Sequence, residues 1–258
     1  MKAVILAGGM GTRMAEETDR KPKPLVEIGG RPIIWHIMMI YSHHGINDFI
    51  ICLGYKGYLL KEYFSNLALH DSDVTIDFAT NDVHYHHAPR LPWRVTLVDT
   101  GIQTMTGGRI RRIGPYLDPG EPFCLTYGDG VGDIDVRASI EFHHRHGLLA
   151  TMTTVRPPAR FGSVSIVEDN RITRFEEKNP EIVPRTNGGF LVVEPEVLDF
   201  IEGDDTIWEG PPLEQLAAKG QLAAFQHHGF WQPMDTVWEQ KYLDQLWAGG
   251  NAPWKVWS

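Results

Sequence analysis

The chain has 258 residues, 42% of them hydrophobic and 22% charged, which suits a globular enzyme built on one large core. No run approaches the roughly 20 apolar residues of a membrane-spanning helix. A formal net charge of -9 lacks the basic surplus expected of a nucleic-acid binder, so neither a membrane nor a nucleic acid is an expected partner. The acidic balance leaves phosphorylated small substrates open, because a few placed cations meet those.

The opening "MKAVILAGGMGTR" has an apolar run that ends in glycines well short of the ~7–15 residues of a secretory signal. Val4 to Leu6 reads as a buried strand followed by a glycine loop. Pro32 then starts a helix over 33–45, "IIWHIMMIYSHHG", with Gly45 as its stop. "DFIICLGY" is a second strand and "KGYLLKEYF" a second helix. "VTIDFA" and "RVTLVDTG" are further strands, and "GGRIRRI" a short helix. "FCLTYGDG" is a strand running into a polar loop, "DVRASIEFHHRHG" a helix, and "LATMTTV" a strand. This alternation predicts an α/β fold with a mostly parallel sheet covered by helices on both faces.

From about residue 160 the β-like runs "SVSIVE", "RITRFEEK" and "NGGFLVVE" come close together and predict an added antiparallel portion. No repeat or linker divides the chain. We expect one continuous domain over 1–258, its core about 1–160 and 186–245, with a β-rich elaboration inserted and at the C-terminus. Cys52 and Cys124 both lie in apolar strands and read as reduced core residues of a cytoplasmic protein.

The loop after Leu6 would stand at the carboxyl edge of the sheet, where open parallel sheets bind ligands. Gly8, Gly9 and Gly11 let backbone N–H groups approach an anion. The P-loop spacing with Gly-Lys-Ser/Thr is absent, and Met14 stands where a dinucleotide loop needs its third glycine. What fits instead is a cationic set. Arg13 follows the loop, and Lys21 and Lys23 sit in "KPKPL", stiffened by Pro22 and Pro24.

"LAGGMGTR" followed by "KPKPLVEIGGRPIIWH" resembles the signature of the sugar-1-phosphate nucleotidyltransferases. "GYKGYLLKEYF", "PWRVTLVDTGIQTMTGGR", "FCLTYGDGVGDID", "NGGF", "GFWQPMDT" and the terminal "APWKVW" are together similar to the glucose-1-phosphate cytidylyltransferases. The resemblance runs nearly end to end. It implies a Rossmann-like nucleotidyltransferase fold with a smaller β-rich C-terminal part. It implies that CTP and α-D-glucose 1-phosphate give CDP-glucose and pyrophosphate, and that the chain is a homo-oligomer, with a hexamer as one form.

By the same resemblance, Arg13 and Lys23 are the catalytic cations. The nucleotide contacts fall on Leu6, Ala7, Gly8, Gly9, Met10, Gly11, Thr12, Arg13, Lys23, Thr104, Arg109 and Gly128. Glucose 1-phosphate would meet Gly128, Glu177, Lys178 and Asn187. "EEKN" stands here where the broader superfamily commonly has "EKP", and Met10 and Met14 stand where it commonly has leucines. Asp129 in "TYGDG" reads by itself as a turn residue, and Asp235 in "QPMDT" as the N-cap of the helix "TVWEQKYLDQLW". The resemblance makes both of them ligands of Mg²⁺, an ion that suits one or two carboxylates plus phosphate oxygens and water. Thr104 would hydrogen-bond the cytosine, Gly107 and Gly108 would let the base approach the backbone, and Arg109 would add charge or lock the base loop.

The histidines of "HYHH" (84–87) and "HHRH" (143–146) read as solvated surface rather than a zinc site, since His143 and His146 share a helix face but lack a clear third ligand. The tryptophans gathered after residue 230 read as packing or subunit contacts.

Overall fold

Strict alternation of apolar side chains sets the architecture. In β1 (Ala3–Leu6), Ala3 and Ile5 enter one apolar layer while Val4 and Leu6 enter another. The strand is buried on both faces, as expected at the centre of a sheet covered by helices. The computed structural model describes residues 1–9, 11, 14, 18–86, 91–157, 163–166, 171–176 and 184–257.

After β1, the short strands β2 (Glu27–Ile28) and β3 (Arg31–Pro32) pair with each other and lead into helix α1 (Ile33–His43). Next come β4 (Asp48–Leu53), α2 (Gly57–Ser65) and α3 (Leu67–His70), then the hairpin β5 (Asp73–Asp77) and β6 (Asp82–His86). β7 (Arg94–Asp99), α4 (Thr106–Arg112), β8 (Phe123–Tyr127), β9 (Gly130–Gly132), α5 (Val136–His146) and β10 (Ala150–Val155) follow. β11 (Ser163–Ile166) and β12 (Ile172–Glu176) form a separate antiparallel pair. β13 (Thr186–Val193), α6 (Pro211–Ala218), β14 (Leu222–Gln226), β15 (Trp231–Pro233) and α7 (Val237–Ala248) complete the order.

The central sheet has seven strands in the order β14-β10-β13-β8-β1-β4-β7. Only β13 runs antiparallel to its neighbours. The chain moves from β1 outward to β4 and β7, then returns to add β8 on the other side of β1. That reversal opens a crevice beyond the carboxyl ends of β1 and β8. Helix α1 and the C-terminal tryptophans cover one face, and Ile110 of α4 and Leu216 of α6 help to cover the other.

The structure departs from the sequence reading in three places. "NGGFLVVE", grouped with the added antiparallel runs, is antiparallel but stands inside the central sheet. It is β13, with Phe190 to Val193 all buried between β8 and β10. "VTIDFA" holds a strand as expected, but that strand lies outside the main sheet and pairs with β6 in an exposed hairpin. His143 is not solvated. It is 1% exposed, on the buried side of α5, with its ring nitrogens 2.9 Å from the Thr151 hydroxyl and 3.1 Å from the Glu194 carboxylate. His84 is exposed as expected, and among the described residues no group of three or more His, Cys, Asp or Glu is arranged to hold a metal. Cys52 and Cys124 are free and buried. Among the described residues no helix is long and apolar enough to cross a membrane.

Candidate active site

One cleft at the carboxyl edge of the sheet collects most of the residues singled out in the sequence. Leu6, Ala7, Gly8, Gly9 and Gly11 line it together with Lys23, Thr104, Arg109, Gly128, Asp129 and Asp235. Met10, Thr12, Arg13, Glu177 and Lys178 lie outside the described residues.

The glycine loop leaves β1 with the Ala7 N–H on the Cys52 carbonyl, 3.1 Å away. Gly11 has φ +64°, a conformation that L side chains rarely adopt, so glycine is needed there for the turn itself. Gly9 faces open space: among the described residues, its chain neighbours aside, no atom lies within 4 Å of the position a Cβ would take. A ligand can therefore approach its backbone closely.

Asp129 and Asp235 lie 106 positions apart yet converge on one ammonium group. Lys23 Nζ is 2.7 Å from Asp129 Oδ2 and 2.6 Å from Asp235 Oδ1. A small ladder brings them together: Trp231, Gln232 and Pro233 of β15 pair with Gly132, Val131 and Gly130 of β9, and the Met234 N–H continues it onto the Asp129 carbonyl at 2.8 Å. Gly132 is tight against this partner, since a Cβ there would fall 2.8 Å from the Phe230 carbonyl. Lys23 begins a one-turn 3-10 helix held between Pro22 and Pro24, and only 11% of its side chain is exposed. Lys21 is turned elsewhere, 3.1 Å from Glu27 at the surface.

Asp235 is not the helix cap. Thr236 caps α7: its hydroxyl accepts from the Glu239 N–H, and the Glu239 carboxylate accepts in return from the Thr236 N–H at 2.9 Å. The same carboxylate takes the Asp235 N–H at 2.8 Å, which anchors the backbone while the Asp235 carboxylate turns to the cleft.

Thr104 is buried at the cleft wall. Gly107 and Gly108, expected to make room for a base, make room for protein instead. A Cβ on Gly107 would lie 2.7 Å from the Thr206 carbonyl, and one on Gly108 2.6 Å from Asp204 Cα. Asn187 is not among the residues that line the cleft. Its amide donates to the Tyr127 hydroxyl at 3.4 Å, and its carbonyl oxygen accepts from the Gly189 N–H at 2.8 Å.

The sequence reading did not single out Met105, Thr106 or Tyr127, which also line the cleft together with Pro24. The Tyr127 hydroxyl donates to the Glu209 carboxylate, and Thr106 donates to the same carboxylate at 2.6 Å. Burial and the neighbouring Glu209 charge both push the Tyr127 hydroxyl pKa well up, so it stays protonated and can donate. Tyr127 and Thr106 sit inside motifs already conspicuous in the sequence. Glu209 carries no local signal.

A family model described as nucleotidyl transferase matches residues 2–238. This chain belongs to that family. Among nucleotidyl transferase relatives it is 56% identical over 257 residues to a glucose-1-phosphate cytidylyltransferase of Salmonella typhi, covering 100% of both chains. It is 43% identical over 260 residues to a probable glucose-1-phosphate cytidylyltransferase of Bacillus subtilis, again covering 100% of both. The crystal structure of HddC from Yersinia pseudotuberculosis superposes with a TM-score of 0.69 over 95% of this chain and 99% of that one. At 21% identity, that likeness speaks for the nucleotidyl transferase fold alone.

Proposed function

We propose that this chain transfers a cytidylyl group from CTP to α-D-glucose 1-phosphate, giving CDP-glucose and pyrophosphate. The observation that supports this reaction class is the pair of carboxylates closed on one cation beside a glycine loop. The choice of base and sugar is supported by the 56% end-to-end identity to the Salmonella typhi enzyme of that name.

The chemistry asks for little from the side chains. The sugar phosphate is ionised at neutral pH, so its oxygen attacks the α-phosphorus of CTP without a general base, and pyrophosphate leaves in line. The protein has to bring two polyanions together and hold their charge as it redistributes. Lys23 and Arg13 supply fixed positive charge for the transferring and leaving phosphates. The glycine loop offers backbone N–H donors, Thr104 is proposed for the base, and Gly128, Glu177, Lys178 and Asn187 for the sugar.

Asp129 and Asp235 fit a divalent ion, and we assign them to Mg²⁺. Their carboxylates already converge on a cation, the Lys23 ammonium. A two-carboxylate donor set suits Mg²⁺, whose other positions go to phosphate oxygens and water. Such an ion would supply charge neutralisation at the phosphates. We further propose a cytoplasmic enzyme that assembles with copies of itself, a hexamer being one form. The β5–β6 hairpin supports assembly, since Ile76, Val83, Tyr85 and the adjacent Phe78 are all exposed.

Pyrophosphate release measured for four nucleoside triphosphates against several sugar 1-phosphates tests the reading. CTP with glucose 1-phosphate should give the highest kcat/KM, and UTP should be the nearest competitor. A site that hydrogen-bonds the cytosine edge rejects a mismatched base because polar groups are left unpaired. Equal or better turnover with UTP or dTTP would overturn the cytidylyl assignment.

A further inference from the structure

Arg109 stands in the wall of the cleft, but its guanidinium faces protein on nearly every side. It is 4% exposed. Nη1 lies 2.9 Å from the Leu53 carbonyl, 2.7 Å from the Thr100 hydroxyl and 2.8 Å from the Gly101 carbonyl. Nη2 lies 3.1 Å from the Gly8 carbonyl and 3.3 Å from the Ile102 carbonyl. The η nitrogens of one arginine carry four hydrogens, so these five acceptors already share them.

The acceptors come from three separate strand ends. Gly8 follows β1, Leu53 ends β4, and Thr100 to Ile102 follow β7. Backbone bonds already reach two of these carbonyls: Leu53 takes the Thr100 N–H at 3.0 Å and Gly8 takes the Tyr55 N–H at 3.2 Å. The fork-shaped cation gives each acceptor a further donor and joins the three strand ends through one side chain.

The glycines beside the fork record its presence. A Cβ on Gly8 would lie 2.2 Å from Arg109 Nη1, 2.4 Å from Cζ and 2.8 Å from Nε, and these three side-chain atoms are the nearest to it. A Cβ on Gly54 would lie 2.6 Å from Nη1, but also 2.6 Å from the Gly8 carbonyl. Gly8 has no positive φ to require glycine. The nearest obstruction at Gly8 is the arginine itself.

We infer that Arg109 is a positioning residue: it ties the glycine loop to the ends of β4 and β7 and fixes the shape of the cleft, and Gly8 is glycine so that the guanidinium can pass. Gly8 and Gly9 then serve different ends, since Gly9 alone opens to the ligand side. The kinetic consequence rests on the glycine loop binding the nucleotide; the structural consequence does not.

A double-mutant cycle separates the two, read first as Tm without substrate and then as kinetics. Gly8→Ala alone should lower Tm and cut kcat/KM by about tenfold to a hundredfold, the range of an overpacked site. In an Arg109→Ala background the same Gly8→Ala change should cost almost nothing in Tm, because the atoms it strikes are gone. Gly54→Ala should remain costly in both backgrounds, because the Gly8 carbonyl is still there. Arg109→Lys provides a second background should Arg109→Ala not fold. It keeps the charge but not the fork, so it should not restore the wild-type Tm, and the KM for CTP should rise more than that for glucose 1-phosphate. Gly8→Ala lowering Tm equally in wild-type and Arg109-substituted chains would overturn the inference. Coupling in Tm without the split in KM would leave the positioning intact and count against the nucleotide reading of the loop.

Discussion

Lys21 and Lys23 are two positions apart in one "KPKP" run, yet they meet different surroundings. Lys21 pairs with the exposed Glu27 on the outside, and such pairs contribute about 0–1 kcal/mol. Lys23 is held between two cleft carboxylates with its stem enclosed. Lys23→Ala should therefore lower kcat/KM by roughly two to four orders of magnitude with a native far-UV circular dichroism spectrum. Lys21→Ala should stay within about twofold. A critical Lys21 with a dispensable Lys23 would mean that the catalytic cation has been misassigned. Asp235 calls for a similar contrast. Because Thr236 does the capping, Asp235→Asn should leave Tm nearly unchanged, abolish most activity and raise the Mg²⁺ needed for what remains, as loss of a ligand charge predicts. Wild-type turnover with an unchanged Mg²⁺ requirement would remove Asp235 from the metal site.

At the scale of elements, the first turn of α7 connects stability to the carboxylate it carries. Glu239 is 2% exposed and receives the N–H groups of both Asp235 and Thr236. Thr236→Ala should cost about 1 kcal/mol, a fall in Tm on the order of 2–4 °C. Glu239→Ala should cost more, and it should also raise the Mg²⁺ requirement, because the Asp235 N–H loses its anchor. Calorimetry and Mg²⁺ titration of the two variants check this, and a lower Tm with unchanged Mg²⁺ dependence would sever the link. The long elements were legible in the sequence: β1, β4, β8 and α1 are apolar runs or helical periods long enough to show. The pairing that joins the two aspartates was not. β9 and β15 have three residues each, rich in Gly and Pro, and such pieces have no period to detect. The glycines mislead in another way, because sequence shows that a Cβ is absent and not what fills the space. Arg109 fills it beside Gly8, and the 204–206 loop beside Gly107 and Gly108.

At the scale of the whole molecule, the last residues close over the first helix, and His36 lies at the junction. It is fully buried on α1, its Nε2 2.9 Å from the Ile28 carbonyl and its Nδ1 3.3 Å from the Trp254 indole nitrogen. The rings of Trp35 and Trp247 stand edge-on at 5.2 and 4.7 Å. This arrangement requires a neutral imidazole, with Nε2–H donating to the carbonyl and Nδ1 accepting from the indole N–H. Protonation would set two donors against each other in a dry aromatic box. Burial is the main reason that the His36 pKa falls to about 4, from an ordinary 6.5. The unfolded chain therefore binds a proton between those two values that the folded chain refuses, so stability rises with pH across that window. His36 contributes fully above about pH 6.5, and on acidification to pH 4 it costs about 3 kcal/mol of folding free energy. His143 is also lowered, chiefly by burial, and adds to the slope without replacing this share. Urea unfolding between pH 7.5 and 4 should show stability flat at the upper end and falling below about pH 6.5. His36→Gln keeps a donor for the Ile28 carbonyl but cannot titrate. It should be less stable at pH 7.5, from imperfect packing, and lose less on acidification, taking up close to one proton fewer on unfolding near pH 5. An unchanged slope in that variant would shift the acid sensitivity away from the C-terminal closure and onto the other histidines that burial lowers, His44, His143 and His146.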